Sequence, residues 1–237
     1  MAALNSDPPR RQLPLEIRLS DAATFDNFLA RDGLEPVLNA LRAQLGPAGE
    51  PGIYLCGPAG AGKSHLLQAC CHSAGADALY LPLAQLREYA PREVLRDLAR
   101  LRLVCLDDLH AVAGDDAWET ALFNLWNEAR ERGCRLAVSA HSAPRALPLH
   151  LADLRSRLSW GVVFQLNRLD DLEKMEVLRF RAQRRGLKLS PEVARYIVHR
   201  APRDPAKLLG LLDQLDTASM VEKRSLSIPF VRRALGW

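Results

Sequence analysis

The eight residues Gly57-Pro58-Ala59-Gly60-Ala61-Gly62-Lys63-Ser64 constrain this chain more than any other stretch. They satisfy G-x-x-x-x-G-K-[S/T] at every fixed position. They follow directly on the apolar run Ile53–Cys56 and open a helical pattern at His65. Glycines let a backbone curl until its N–H groups surround phosphate oxygens, and a helix N-terminus adds partial positive charge. Residues 57–65 are therefore read as nucleotide-binding. Lys63 is expected to reach the β- and γ-phosphates, and the Ser64 hydroxyl to ligate Mg²⁺.

The flanking chain fits an α/β fold. Short apolar runs recur at Ile53–Cys56, Ala78–Leu81, Leu103–Leu106, Leu136–Ser139 and Val162–Leu166. Helical patterns separate them at Lys63–Ser73, Pro91–Arg100, Trp118–Arg132 and Leu151–Leu158. Strands alternating with helices specify a parallel sheet, here five-stranded, with helices on both faces. Continuous apolar runs, rather than alternating ones, mark strands buried on both sides. After Leu166 only helical patterns remain: Leu169–Gly186, Pro191–Arg200, Asp204–Ala218 and Ile228–Leu235. Ser190 followed by Pro191 is a helix start, a hydroxyl cap with proline at the first helical position. We therefore expect an N-terminal arm over 1–22, a nucleotide-binding α/β domain over 23–167 and a small all-helical domain over 168–237.

Composition narrows the class. A net charge of +4 on 237 residues gives no bulk case for nucleic-acid binding. No apolar run approaches the ~20 residues of a membrane span, and residues 1–18 lack the apolar core of a signal peptide. Five cysteines, Cys56, Cys70, Cys71, Cys105 and Cys134, form no C-x-x-C pair. Reduced thiols in a cytoplasmic protein are expected. Cys70-Cys71-His72 has no second ligand pair at finger-like spacing, and buried small side chains on a helix are the simpler reading.

A phosphate loop needs an acidic partner. Leu103-Val104-Cys105-Leu106 ends in Asp107 and Asp108, as a Walker B strand does. Asp107 is the expected Mg²⁺ ligand, through water, and Asp108 the group that orients or activates the attacking water.

With these motifs in place the chain resembles the AAA+ proteins, and more narrowly the DnaA family. Thr24-Phe25-Asp26-Asn27-Phe28 resembles the segment that opens the family's nucleotide domain, which implies Phe28 at the adenine pocket. Gly62-Lys63-Ser64-His65-Leu66 and Leu106-Asp107-Asp108-Leu109-His110 resemble its phosphate-loop ending and Walker B segment. Leu154-Arg155-Ser156-Arg157-Leu158-Ser159-Trp160-Gly161 resembles the segment that carries its arginine finger, at the position of Arg157. The resemblance implies an AAA+ domain with a helical lid, binding ADP or ATP with Mg²⁺. At the sensor 1 position it implies Ser139 or His141, the latter standing where the family usually offers an acid. At the sensor 2 position stands Ala206 instead of arginine, with Lys207 beside it as the substitute lid contact. That departure favours a protein resting with ADP.

The family's helix-turn-helix module has no counterpart before Trp237, so direct DNA contact is expected to be weak or absent. Gln12-Leu13-Pro14-Leu15-Glu16-Ile17 resembles the peptide that binds the cleft of the bacterial sliding clamp. There Leu13, Leu15 and Ile17 would fill pockets while Gln12 bonds at the rim. The combination is most similar to the Hda branch, implying the clamp and DnaA as partners and Arg157 acting on ATP held by DnaA. An autonomous ATPase, such as a DnaC-like helicase loader, is the alternative. A third reading places Arg179, Arg181, Arg184 and Arg185 on one basic, DNA-facing side. Whether the chain forms homo-oligomers stays open.

Overall fold

The computed structural model describes residues 19–202, 204–222 and 225–237. A short 3-10 turn at Phe25–Asn27 and helix α1 (Glu35–Ala43) lead into a five-stranded parallel sheet. Its strands are β1 (Gly52–Cys56), β2 (Ala78–Pro82), β3 (Leu103–Asp107), β4 (Arg135–Ala140) and β5 (Val162–Gln165), in the order β2-β3-β4-β1-β5. Between them run α2 (Lys63–Ala74), α3 (Leu83–Leu86), α4 (Pro91–Val94), α5 (Asp116–Arg132) and α6 (Ala152–Leu158).

Alternate strand residues feed opposite layers. Ile53 and Leu55 of β1 join Leu103, Cys105 and Ala137 beneath α1 and α2. Tyr54 and Cys56 join Val104, Leu106 and Val138 beneath α3 to α6. β1 and β3 are buried at every position, as continuous apolar runs require. β5 differs: it lies at the sheet edge and alternates between half-buried and exposed, with Val163 39% exposed. Val162–Leu166 is thus an edge strand followed by the buried Leu166, not a doubly covered one. A four- or five-residue apolar run does not by itself tell the two apart.

Helix α5 is fixed by its ends. Asp115 accepts from the N–H groups of Ala117 and Trp118, and Gly133 closes the helix in the left-handed conformation. The buried Glu119 carboxylate accepts from the N–H groups of Gly114 (2.7 Å), His150 (3.2 Å) and Leu151 (2.7 Å). It ties the start of α6, and so the arginines on it, to α5. All five cysteines are free and buried.

Beyond the sheet, α7 (Asp171–Arg184), α8 (Pro191–Arg200), α9 (Pro205–Glu222) and α10 (Ile228–Leu235) enclose a separate core that includes Leu178, Ile197, Leu212, Leu215 and Phe230. Asp170 and Glu173 make a reciprocal capping box on α7, and Ser190 caps α8 ahead of Pro191. Among the described residues no helix is long and apolar enough to cross a membrane.

Candidate functional site

β1 delivers the glycine-rich loop to the mouth of a cleft of about 550 Å³ between the sheet and the helical domain. Gly60 and Gly62 take the left-handed conformations that side chains resist. A Cβ on Gly60 would lie 2.5 Å from Pro205 at the start of α9, and one on Gly62 2.9 Å from the Phe28 ring. The loop is therefore pressed from one side by the lid and from the other by Phe28. Lys63 opens α2 and is buried; its ammonium donates to the carbonyls of Gly57 (2.7 Å) and Pro58 (3.0 Å). Burial lowers its pKa, against the pull of Asp108 and Asp107. Ala59, Gly60, Ala61, Gly62, Lys63, Ser64 and His65 line the cleft, while Gly57 and Pro58 stand behind it as acceptors for Lys63.

The two acids at the end of β3 part company. Asp107 is buried, accepting from the Tyr80 hydroxyl (2.6 Å) and from the Ser139 hydroxyl. Burial, then the Asp107 charge, pushes the Tyr80 phenol well above its ordinary range, so it stays a donor. Asp108 takes a left-handed backbone (φ 56°), its N–H donating to Ser139 Oγ at 3.0 Å, and its carboxyl reaches the cleft. Burial, then Asp107, raises its pKa; His110, Lys63 and His141 lower it. The sequence reading placed Ser139 as a nucleotide contact. The structure buries it completely, where it holds Asp107 and the Asp108 backbone. His141 is exposed and meets His110 edge-on at 4.4 Å.

Phe28 and His65 form the far wall, ring centroids 5.3 Å apart. His65 Nε2 lies 2.8 Å from the Thr24 carbonyl, which only accepts, so that nitrogen carries the proton. Burial lowers the His65 pKa and favours the neutral ring.

The lid contributes cations that sequence reasoning placed elsewhere. Arg181 is buried and donates to the carbonyls of Ala22 (3.1 Å) and Asn27 (2.9 Å). Arg185 pairs with Asp213 at 2.5 Å while its Nη1 is buried without a partner, and all three side chains line the cleft. Arg31 crosses to Glu173 of α7 at 3.0 Å. Arg181, in the last turn of α7, and Arg185, which caps its C-terminus, turn inward, so the four arginines do not form one solvent-facing basic side. The signal was the i, i+4 spacing; which face of α7 meets the cleft was not legible. Lys207 is exposed and is not among the residues lining the cleft.

On α6 the two arginines separate as well. Arg155 donates to the Leu149 carbonyl in the loop that precedes α6. Arg157 is half-buried, its guanidinium 5.0 Å from the Trp160 ring, and it does not line the chain's own cleft. Gln12, Leu13, Leu15 and Ile17 lie outside the described residues.

Comparison with known proteins agrees with this geometry. The family model of the bacterial DnaA ATPase domain matches residues 19–165, and that of the Hda lid domain matches residues 171–235. An uncharacterized protein of Haemophilus influenzae is 42% identical over 95% of this chain and 98% of its own length. Among solved structures, domain III of the Thermotoga maritima replication initiation protein DnaA is similar with a TM-score of 0.75 at 20% identity, over 93% of this chain and 98% of that one. AMPPCP-bound DnaA from Aquifex aeolicus has a TM-score of 0.69 at 21% identity, over 86% of this chain and 68% of that one. At these identities the structures establish the AAA+ fold, and the family models establish kinship. The chain belongs to the bacterial DnaA ATPase-domain family and carries a helical lid of the Hda type.

Proposed function

We propose that this chain is a regulator of replication initiation that stimulates hydrolysis of ATP held by DnaA, working from the DNA polymerase sliding clamp. The observation that carries this reading is the placement of Arg157. It stands on α6 outside the chain's own cleft and is in no ion pair among the described residues. An arginine finger needs that arrangement, because its target is a phosphate in another subunit. The deciding experiment is hydrolysis of DnaA-bound ATP with and without this protein on DNA-loaded clamp.

The chain's own cleft fits an adenine nucleotide. Its loop glycines leave no room for side chains, Lys63 stands inside the loop, and Arg185 Nη1 is an orphaned donor in the lid wall. Phe28 and His65 would flank the base, and Lys63 and the loop N–H groups would hold phosphates. Among the described residues no three His, Cys, Asp or Glu side chains form a metal-holding group. A Mg²⁺ ion would therefore rest on Ser64 and on the phosphates, with Asp107 acting through water. It would supply charge neutralisation between phosphate oxygens.

Arg185 takes the lid role that the sequence assigns to Lys207. A charge-assisted hydrogen bond contributes about 1.5–3 kcal/mol, so Arg185→Ala should weaken ADP binding by at least about tenfold by calorimetry. Its pair with the 65%-exposed Asp213 is screened and worth at most about 1 kcal/mol, so the thermal midpoint should barely move. The reverse pattern, stability lost with affinity intact, would make Arg185 a structural residue only.

Gln12, Leu13, Leu15 and Ile17 are proposed to dock on the clamp. Gln12→Ala with Leu13→Ala should abolish clamp pull-down while leaving ADP affinity unchanged; persistent capture removes the arm from the reading.

A further inference from the structure

Two cations share one exposed indole on the face that carries Arg157. Trp160 is 57% exposed. The Arg130 guanidinium lies 4.3 Å from its ring centroid and that of Arg157 lies 5.0 Å from it. Arg157 also reaches to 6.0 Å from the Phe123 ring. Helix geometry explains the assembly. Phe123 and Arg130 are seven residues, two turns, apart and so share a face of α5. The Trp160 backbone N–H donates to the Arg157 carbonyl at 3.1 Å, closing the turn that ends α6, with the indole beside Arg157. The buried Glu119 carboxylate, bonded to the Leu151 N–H, holds α6 to α5 beneath them.

Two guanidinium groups on one ring repel each other unless a carboxylate or an incoming anion lies between them. Among the described residues neither Arg130 nor Arg157 is in an ion pair, although arginines and carboxylates pair at six other places. We propose that Trp160 is a positioning residue that presents Arg157 and Arg130 together to one polyanion, the terminal phosphates of a nucleoside triphosphate held by a partner protein. The inference rests on the reading of Arg157 as a finger and extends it: the finger is half of a pair, and the indole sets its direction. A triphosphate fits because its charge is concentrated enough to take two guanidinium groups side by side. A single-stranded nucleic acid fits less well. Such strands need a succession of stacking platforms, and Trp160 and Tyr89 are the only exposed large aromatics among the described residues.

The test uses the full chain on DNA-loaded clamp, titrated against ATP-bound DnaA, with rate and half-saturating concentration read separately. Trp160→Ala should lower the maximal stimulated rate at least tenfold while shifting the half-saturating concentration less than threefold. Trp160→Phe should restore most of the rate, because a phenyl face still accepts a cation. Arg130→Ala should also lower the rate several-fold. Arg157→Ala runs alongside. If it keeps full stimulation, the finger reading fails and this inference with it. If it loses stimulation while Trp160→Ala keeps the wild-type rate, the platform alone is overturned. A loss confined to the half-saturating concentration would make Trp160 a docking contact and also overturn it. So would unchanged stimulation accompanied by loss of binding to a single-stranded oligonucleotide.

Discussion

Arg157→Ala is expected to lower clamp-dependent hydrolysis of DnaA-bound ATP by about 10³-fold or more, to the rate of DnaA alone. The size follows from where the charge is needed. A finger meets charge that develops in the transition state, in a site closed to water by two proteins, so its loss raises the barrier by about 4 kcal/mol. The same guanidinium does little for the fold. It stacks on a 57%-exposed indole, an arrangement worth about 0.5–1 kcal/mol. The thermal midpoint and ADP affinity of the variant should therefore match the wild type, while the stimulated rate collapses. Arg157→Lys should recover only a small part, since an ammonium keeps the charge but lacks the planar fork that grips two phosphate oxygens. Stimulation within threefold of wild type in Arg157→Ala would remove the finger from this residue.

What was legible in the sequence was local. The phosphate loop, the strand before it and the helix after it are fixed by eight adjacent residues, and Ser190-Pro191 marks the start of α8 to the residue. Side chains that act through distant contacts left weaker traces. Tyr80 supports Asp107 from 27 residues away on the neighbouring strand, and only the pairing of β2 with β3 brings them together. Ser139 is a strand-end hydroxyl that sequence alone reads as a cleft group; the parallel register of β3 and β4 instead sets it under Asp107 and Asp108. Arg181 and Arg185 carry a basic pattern that suits solvent as well as a cleft. Docking of α7 on Ala22 and Asn27 decides between them, and no periodicity encodes it. Substitution at position 206 is the converse case. The family resemblance implies an arginine where the sequence has Ala206, and Arg181 and Arg185 line the cleft on the lid side.

Lys63→Ala should cost the protein nearly all of its nucleotide affinity, on the order of 100-fold for ADP, and little of its fold. Two terms oppose each other in stability. Removing the ammonium leaves the Gly57 and Pro58 carbonyls without their donor, a loss of about 1–3 kcal/mol. It also removes the cost of keeping a cation in a buried place, the same cost that lowers the Lys63 pKa. In binding the terms act together. The phosphates lose a charge-assisted donor, and the Asp107 and Asp108 carboxylates behind the loop lose the positive charge that screens them from an incoming anion. Calorimetry should show ADP binding about 2.7 kcal/mol weaker. A thermal shift should separate the effects: ADP at about 100 times the wild-type Kd stabilises the wild type by about 2.7 kcal/mol and the variant by only a few tenths. If stimulation of DnaA survives in Lys63→Ala while Arg157→Ala abolishes it, the bound nucleotide is structural and the chemistry lies wholly across the interface. If both are lost with the fold intact, nucleotide occupancy of this cleft governs how α5 and α6 present Arg157, and ADP becomes a regulator of the partner's ATP.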